Sequence, residues 1–300
     1  MHPEQILSYA PVRLSPAERE HYFTHGYVGL PSAISADWVE RLQSATAQMV
    51  ERSRAQQQSD EVFVVDEGHC EQAPRLHRLY SPQDHHPDYW EFMRSAQMTA
   101  LAADVVGPDV KFHHAKLNFK SAGGSRGFNW HQDIQGWPHT DYSPVTIGVY
   151  INGCTAEQGP LAMIPGSHAG PLYSMYDERG QFAVSLRESD HAALGEHRVD
   201  APIGPAGTVV LLNCRTIHGS IVNNSEHDRP VLLAVYSSAD SFSYTAPPIA
   251  SARLGEIVRG QAAQYACFDN RPCELPPDWA RSNYGGPWRR QQAAESVEQQ

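Results

Sequence analysis

From about Lys111 onward the chain is written as short β-rich runs cut by Gly, Pro and Asn. They are "KFHHAKLNFK" (111–120), "VTIGVYI" (145–151), "LAMI" (161–164), "GTVVLLN" (207–213) and "RPVLLAVYSS" (229–238). Several short strands separated by turn signals pair with one another as a sandwich or barrel. A jelly-roll core is therefore expected over about residues 107–240, with 172–200 and "TAPPIASA" (245–252) as loops around it.

The first third of the chain reads differently. Residues 15–28 predict a helix with Ser15 as N-cap, Pro16 in the first position and Gly26 as its stop. A second helix fits 36–56, where Trp38, Val39, Leu42 and Met49 recur at helical spacing. A third fits 87–106, with Tyr89, Trp90, Phe92, Met93 and Leu101 on one stripe. Strand candidates at 61–65 and 75–80 lie between the last two. The expectation is a mainly β fold in one domain over 1–285, its helical part (15–106) supporting the jelly roll. The polar end, 286–300, reads as a disordered tail.

Charge narrows the partners. A formal charge of −11 over 300 residues argues against nucleic acid, whose binding needs clustered Lys and Arg. No run approaches the roughly 18 apolar residues of a membrane span. The first twenty residues lack the basic and apolar blocks of a signal peptide. A soluble, cytoplasmic protein acting on a small molecule is the resulting expectation. Five scattered cysteines without a CxxC suggest reduced, structural thiols. Oligomeric state is not readable from the sequence.

Sixteen histidines make metal chemistry worth testing, and they also make chance motifs common. Three His-x-Asp triplets occur: His86-Pro87-Asp88, His131-Gln132-Asp133 and His139-Thr140-Asp141. The first opens a helix, where Asp88 suits the dipole. The third sits in turn chemistry, "PHTDYSP". Only His131 lies on a run that can be strand. On a strand, His131 and Asp133 project to one face, and Phe128, Trp130 and Gln132 to the other. His218 closes the apolar run "GTVVLLNCRTIH" and is the one later histidine that can join them. Two imidazoles and one carboxylate on one side of a metal form the facial triad of non-haem Fe(II) oxygenases. A histidine after a strand is also commonly a hydrogen-bonded loop residue, so the order of all three on a jelly-roll texture carries the reading. Arg229, at the start of a strand eleven residues after His218, has the fork that would hold the far carboxylate of 2-oxoglutarate. On its own it reads equally as a salt-bridge residue.

"FNWHQD" (128–133), "EQGPLAMIPGSH" (157–168) and "TIHGSIVNNSEHDRP" (216–230) resemble the phytanoyl-CoA dioxygenase family, over roughly residues 16–240. That family comprises Fe(II)/2-oxoglutarate-dependent oxygenases on a double-stranded β-helix and includes ectoine hydroxylases. The resemblance implies Fe(II), 2-oxoglutarate and O2 as cofactor and cosubstrates. It implies His131, Asp133 and His218 as iron ligands and catalytic residues, with Arg229 as the 2-oxoglutarate anchor. Asn118 and Lys120 match a cosubstrate-contacting strand, and Thr146 is a candidate hydroxyl for the same carboxylate. Trp137 matches a substrate-contacting tryptophan of ectoine hydroxylases; His114, Lys116 and Tyr142 are further candidates for the substrate pocket. Lys116 would meet a substrate carboxylate, whereas Tyr150 reads mainly as core. His168, in "IPGSH", reads as a turn brace.

The chain departs from related enzymes in two places, and Asp133 sets it apart from halogenases. The ectoine hydroxylase run Asp-Gly-Met-Pro after the tryptophan is replaced by "HTDYSP", which speaks against ectoine. Val231 stands where other 2-oxoglutarate enzymes carry a hydroxyl two residues after the arginine. Asp133 supplies the carboxylate that halogenases lack. Nothing resembles a basic pocket for coenzyme A phosphates. The expected activity is hydroxylation of an unactivated C–H in a small metabolite, an amino-acid derivative or natural-product intermediate, with 2-oxoglutarate converted to succinate. A redox-neutral cupin-like isomerase or lyase, and a noncatalytic binder, are the competing classes.

Overall fold

The computed structural model describes residues 1–123, 127–194 and 197–278. The tail expected at 286–300, and the end of the domain at 285, lie outside the described residues. The chain opens with α1 (Pro3–Leu7), α2 (Pro16–His25), β1 (Tyr27–Leu30) and α3 (Ala36–Ser53). Then come β2 (Phe63–Val65), β3 (Leu76–Tyr80), α4 (Pro82–His85), α5 (Pro87–Met93) and α6 (Ala96–Val106). The β-rich part holds β4 (Val110–Asn118), β5 (Phe128–His131), β6 (Val145–Tyr150) and β7 (Leu161–Met163). It ends with α7 (Glu188–Leu194), β8 (Thr208–Asn213), β9 (His218–Ser220), β10 (Val231–Ser238) and β11 (Ile257–Arg259).

Local chemistry sets the helix ends. The Ser15 hydroxyl accepts the Glu18 N–H at 3.3 Å while the Glu18 carboxylate accepts the Ser15 N–H at 2.7 Å, a reciprocal cap. Gly26, at φ +82°, stops α2 in a conformation a β-carbon would resist. The chain reverses there into β1, so Tyr27 and Val28, expected as helix, are strand. The helix expected over 87–106 is two. Arg94 leaves the helical region and the Ser95 hydroxyl caps α6 by accepting the Met98 N–H.

Eight strands form the large sheet. Its order is β1-β8-β6-β10-β4-β3-β2, with β11 also paired to β4. A small sheet, β5-β9-β7, faces it. All the pairings are antiparallel. This is the double-stranded β-helix expected from the sequence. The period of two divides each strand between two environments. On β10, Leu232, Ala234 and Tyr236 join the main core, where the helices pack against the sheet, while Val231, Leu233 and Val235 point into the jelly roll. On β6, Val145, Ile147 and Val149 face the helices. On β4, Ala115 and Leu117 do the same, and the alternate residues His114, Lys116 and Asn118 line the interior cavity. A strand that buries only apolar groups on one side thus presents only polar ones on the other.

Asp104 fastens the N-terminal segment to this core. Its carboxylate, 1% exposed, accepts the backbone N–H groups of Val12, Arg13 and Leu14 at 2.6, 2.7 and 2.6 Å. Asp104→Ala leaves those donors without an acceptor and is expected to cost about 3 kcal/mol, on the scale of buried unsatisfied groups. Urea unfolding measures it; a loss below about 1 kcal/mol would mean that water replaces the carboxylate.

Candidate metal centre

His131 closes β5, and His218 opens β9, directly opposite in the antiparallel register. Their imidazole centroids are 4.2 Å apart. Each Nδ1–H donates to a carbonyl two residues back, His131 to Asn129 at 2.7 Å and His218 to Thr216 at 2.9 Å. These bonds fix the ring orientations and leave both Nε2 atoms free to face a common point. Asp133 Oδ1 lies 3.6 Å from His131 Nε2 and 3.8 Å from His218 Nε2. One ligand atom from each of the three lies within 4.8 Å of the others, and no other such group of three occurs among the described residues. A donor set of two nitrogens and one oxygen, gathered on one side of a cavity, fits a divalent iron.

The route to this convergence differs from the expected one. Asp133 is not on a strand; it begins a 3-10 turn, Asp133–Gly136. Gln132 before it keeps an extended backbone, φ −119° and ψ 127°, so His131 and Asp133 still point the same way. Phe128, expected on the opposite face, lines the cavity instead. The register between β5 and β9 shifts between Phe128 and His131, and that bulge turns the alternation over. Gln132 acts as a clamp: its Nε2 donates to Arg215 O at 2.8 Å and Pro171 O at 3.1 Å, and its Oε1 accepts the Tyr173 N–H.

Charge is concentrated here. Burial pushes the Asp133 carboxyl up, but His218, the hydrogen bond with His131 and Lys116 outweigh it and hold it well below the usual carboxylate range. Burial and the neighbouring His131 push the His218 imidazole down to about 4. A neutral imidazole beside an ionised carboxylate is the protonation state a metal requires.

The interior cavity gathers most of the residues singled out from the sequence. Arg229, Asn118, Lys120, Thr146, His114, Lys116 and Trp137 all line it with the three donors. Arg229 is 1% exposed; its Nη2 donates to Gly159 O at 2.7 Å. Lys120 sits beside it, since the two residues exchange backbone hydrogen bonds, and its ammonium donates to Ile221 O. Removal from water and the Arg229 charge push Lys120 down to about 7. Burial pushes Lys116 down to about 8 and His114 to about 3.

Two expectations are corrected. The Thr146 hydroxyl is already engaged, donating to Asp133 Oδ2 at 2.9 Å; it orients the carboxylate rather than the cosubstrate. Tyr142 does not line the cavity. Its hydroxyl donates to the carbonyls of Arg271 and Pro272, and its ring lies between the Arg215 and Arg271 guanidiniums at 4.4 and 4.8 Å. Tyr150 is core, its hydroxyl accepting the Leu161 N–H. His168 braces a turn, donating from Nε2 to Phe23 O. Of the lining residues that the sequence reading did not single out, one is charged. Arg78 on β3, 1% exposed, sits opposite Asn118 and donates from Nε to its Oδ1 at 2.8 Å. The signal was an arginine inside the strand-like run "RLHRLY".

Residues 22–231, well over half of the chain, match the family model of phytanoyl-CoA dioxygenase (PhyH). The chain belongs to the phytanoyl-CoA dioxygenase family. Among relatives, it is 29% identical over 274 residues to a protein of Stutzerimonas stutzeri named as a probable alpha-ketoglutarate-dependent hypophosphite dioxygenase, spanning 89% of this chain and 93% of that one. It is 28% identical over 238 residues to an ectoine dioxygenase of Sphingopyxis alaskensis, spanning 72% and 73%. The fold is similar to that of iron-bound EctD from S. alaskensis, with a TM-score of 0.68 at 22% identity over 85% of this chain and 90% of that one. As a phytanoyl-CoA dioxygenase family member, the chain is a 2-oxoglutarate-dependent non-haem iron dioxygenase, and its cofactor set is Fe(II), 2-oxoglutarate and O2. The redox-neutral and noncatalytic alternatives are thereby set aside. No helix among the described residues is long and apolar enough to cross a membrane.

Proposed function

We propose that this enzyme oxidises a small anionic metabolite, hydroxylating an unactivated C–H of a carboxylate such as an amino-acid derivative. The observation that carries this reading is a charge imbalance. Arg78, Lys116, Lys120 and Arg229 all line the cavity, against the single carboxylate of Asp133. Bound Fe(II) and 2-oxoglutarate carry equal and opposite charges and leave the imbalance as it is. Buried cations without counter-charges are costly, so an anionic occupant is the expected complement.

The residues divide the work. His131, Asp133 and His218 would hold iron, which with 2-oxoglutarate and O2 supplies the oxidising power while 2-oxoglutarate becomes succinate and CO2. Thr146 holds Asp133 in orientation. Arg229, with Lys120 beside it, takes the far carboxylate of 2-oxoglutarate, and Asn118 lies on the strand between that end and the substrate. The Lys116 ammonium has no hydrogen-bond partner among the described residues and, with Arg78, would meet the anionic group of the substrate. Trp137 and His114 form one wall. The five free cysteines suit a reducing compartment such as the cytoplasm.

The test is succinate release from purified, Fe(II)-loaded enzyme, screened against small carboxylates and their neutral amides. Stimulation by carboxylates only is the expected result, with the KM of the best of them raised about 10- to 100-fold in Lys116→Met, the range for losing a hydrogen bond between charged groups. Equal stimulation by amides, or an unchanged KM, would remove the anionic reading. Hypophosphite belongs in the same screen, because the relative so named is matched along nearly its whole length. Its oxidation in preference to every carboxylate would replace the C–H by a P–H bond as the site of attack.

A further inference from the structure

A second cavity shares no lining residue with the first. It lies between α1, α2 and the loops that carry Tyr142, His168, Arg215 and Arg271. Its volume, about 370 Å³, is within the range of small-molecule sites. Ile6, Leu7, Phe23 and Val105 make much of its wall apolar.

The charges around it are paired, with one exception. Asp141 is held by the Met1 ammonium at 2.5 Å, and Asp269 by Arg271 at 2.7 Å. Arg215, 5% exposed, has no carboxylate in salt-bridge reach among the described residues. Its Nε donates to His168 O at 2.8 Å and its Nη2 to Gly170 O at 2.5 Å. Its Nη1 is buried and donates to nothing. The Tyr22 hydroxyl, on the same cavity, meets the Asn213 side chain. A buried guanidinium nitrogen without a partner, beside an apolar hollow, is what a bound amphipathic ligand would satisfy.

We propose that this cavity is a ligand site separate from the metal centre, taking a monocarboxylate with an apolar body. The carboxylate would accept from Arg215 Nη1, and the body would lie against Ile6, Phe23 and Val105. One unpaired guanidinium calls for one negative charge. The two tethers to His168 and Gly170 hold the guanidinium in place, so little is lost in ordering it. The claim does not depend on which substrate the metal centre takes.

Octanoate is the probe, measured by equilibrium dialysis of radiolabelled material against the full chain loaded with Fe(II) and 2-oxoglutarate under nitrogen. The expected result is one octanoate per chain, bound about 10- to 100-fold more weakly by Arg215→Gln, the range for one hydrogen bond to a charged group. Octanol should bind far more weakly than octanoate. Ala169→Trp fills the mouth from an exposed position, needs no core change and should also abolish binding; it decides the matter if Arg215→Gln does not fold. Lys116→Met, in the other cavity, should leave octanoate binding as in the wild type. Wild-type binding by both Arg215→Gln and Ala169→Trp would overturn the site. So would loss of binding in Lys116→Met, which would place octanoate at the metal centre, or no saturable binding at all.

Discussion

Asp133→Ala is expected to abolish substrate-coupled succinate release and to lower Fe(II) affinity by at least about 100-fold, since even partners one bond removed from a metal are worth 10- to 100-fold. Asp133 is the only anion of the donor set. Without it, two imidazoles and the Lys116 ammonium face a dication with no negative charge between them. Metal-induced stabilisation gives an independent readout. At a hundredfold excess over its dissociation constant, a ligand bound only by the folded state adds about 2.7 kcal/mol. Wild-type protein should therefore melt higher with Mn(II), a redox-silent substitute for Fe(II), and Asp133→Ala should not. Asp133→Asn keeps the shape and the Thr146 hydrogen bond while losing the charge, and is expected to behave like the alanine variant. A variant that keeps the wild-type melting shift would end the assignment of this residue as a ligand.

Arg229→Ala has the second largest expected effect, and it falls on 2-oxoglutarate rather than on iron. Removing one member of a buried charge pair costs about 2–5 kcal/mol, or roughly 30- to 5,000-fold in affinity. An anaerobic titration of the Fe(II) enzyme with 2-oxoglutarate, followed by the visible charge-transfer band, separates the two ligands. The variant should bind Fe(II) with wild-type affinity and require a far higher 2-oxoglutarate concentration for the band. Arg229→Lys is expected to recover only part of the loss, because an ammonium lacks the planar fork. An unshifted titration in Arg229→Ala would move the anchoring role to Lys120, the cation beside it.

The sequence disclosed the site unevenly, for physical reasons. β8 and β10 were legible as short apolar runs buried on both faces, and β4 and β6 keep a period of two because one face lies against the helices and the other presents polar or small groups to the interior. His131 and His218 were legible because each closes or opens such a run. Asp133 was found for a partly wrong reason: it stands on a 3-10 turn, and only the extended Gln132 keeps it beside His131. Phe128 was placed on the wrong face because a bulge adds one residue without any local mark in composition. Thr146 was nominated for its hydroxyl, but which acceptor it meets depends on a turn thirteen residues earlier in the chain. Tyr142 was a candidate for the substrate pocket, and its hydroxyl turns instead to the carbonyls of Arg271 and Pro272. Arg78 was missed because β3 precedes the jelly roll by some thirty residues and joins it only through pairing with β4.

The donors for iron and the groups that would grip the substrate come from different sheets. His131 and His218 sit on the three-stranded sheet, with Asp133 on the turn that leaves it. Arg78, Lys116 and Asn118 stand on neighbouring strands of the large one, a sheet braced from behind by the helices. On the proposed substrate roles of Arg78 and Lys116, the oxidising end of the cavity and its recognition end would be separately editable. Exchanges at positions 78, 114 and 116 would then alter which molecule is presented and leave in place the hydrogen bonds to Asn129, Thr216 and Thr146 that orient the His–Asp–His constellation. Such an arrangement would let a lineage trade one metabolite for another by a few replacements on two adjacent strands while the power source stays fixed.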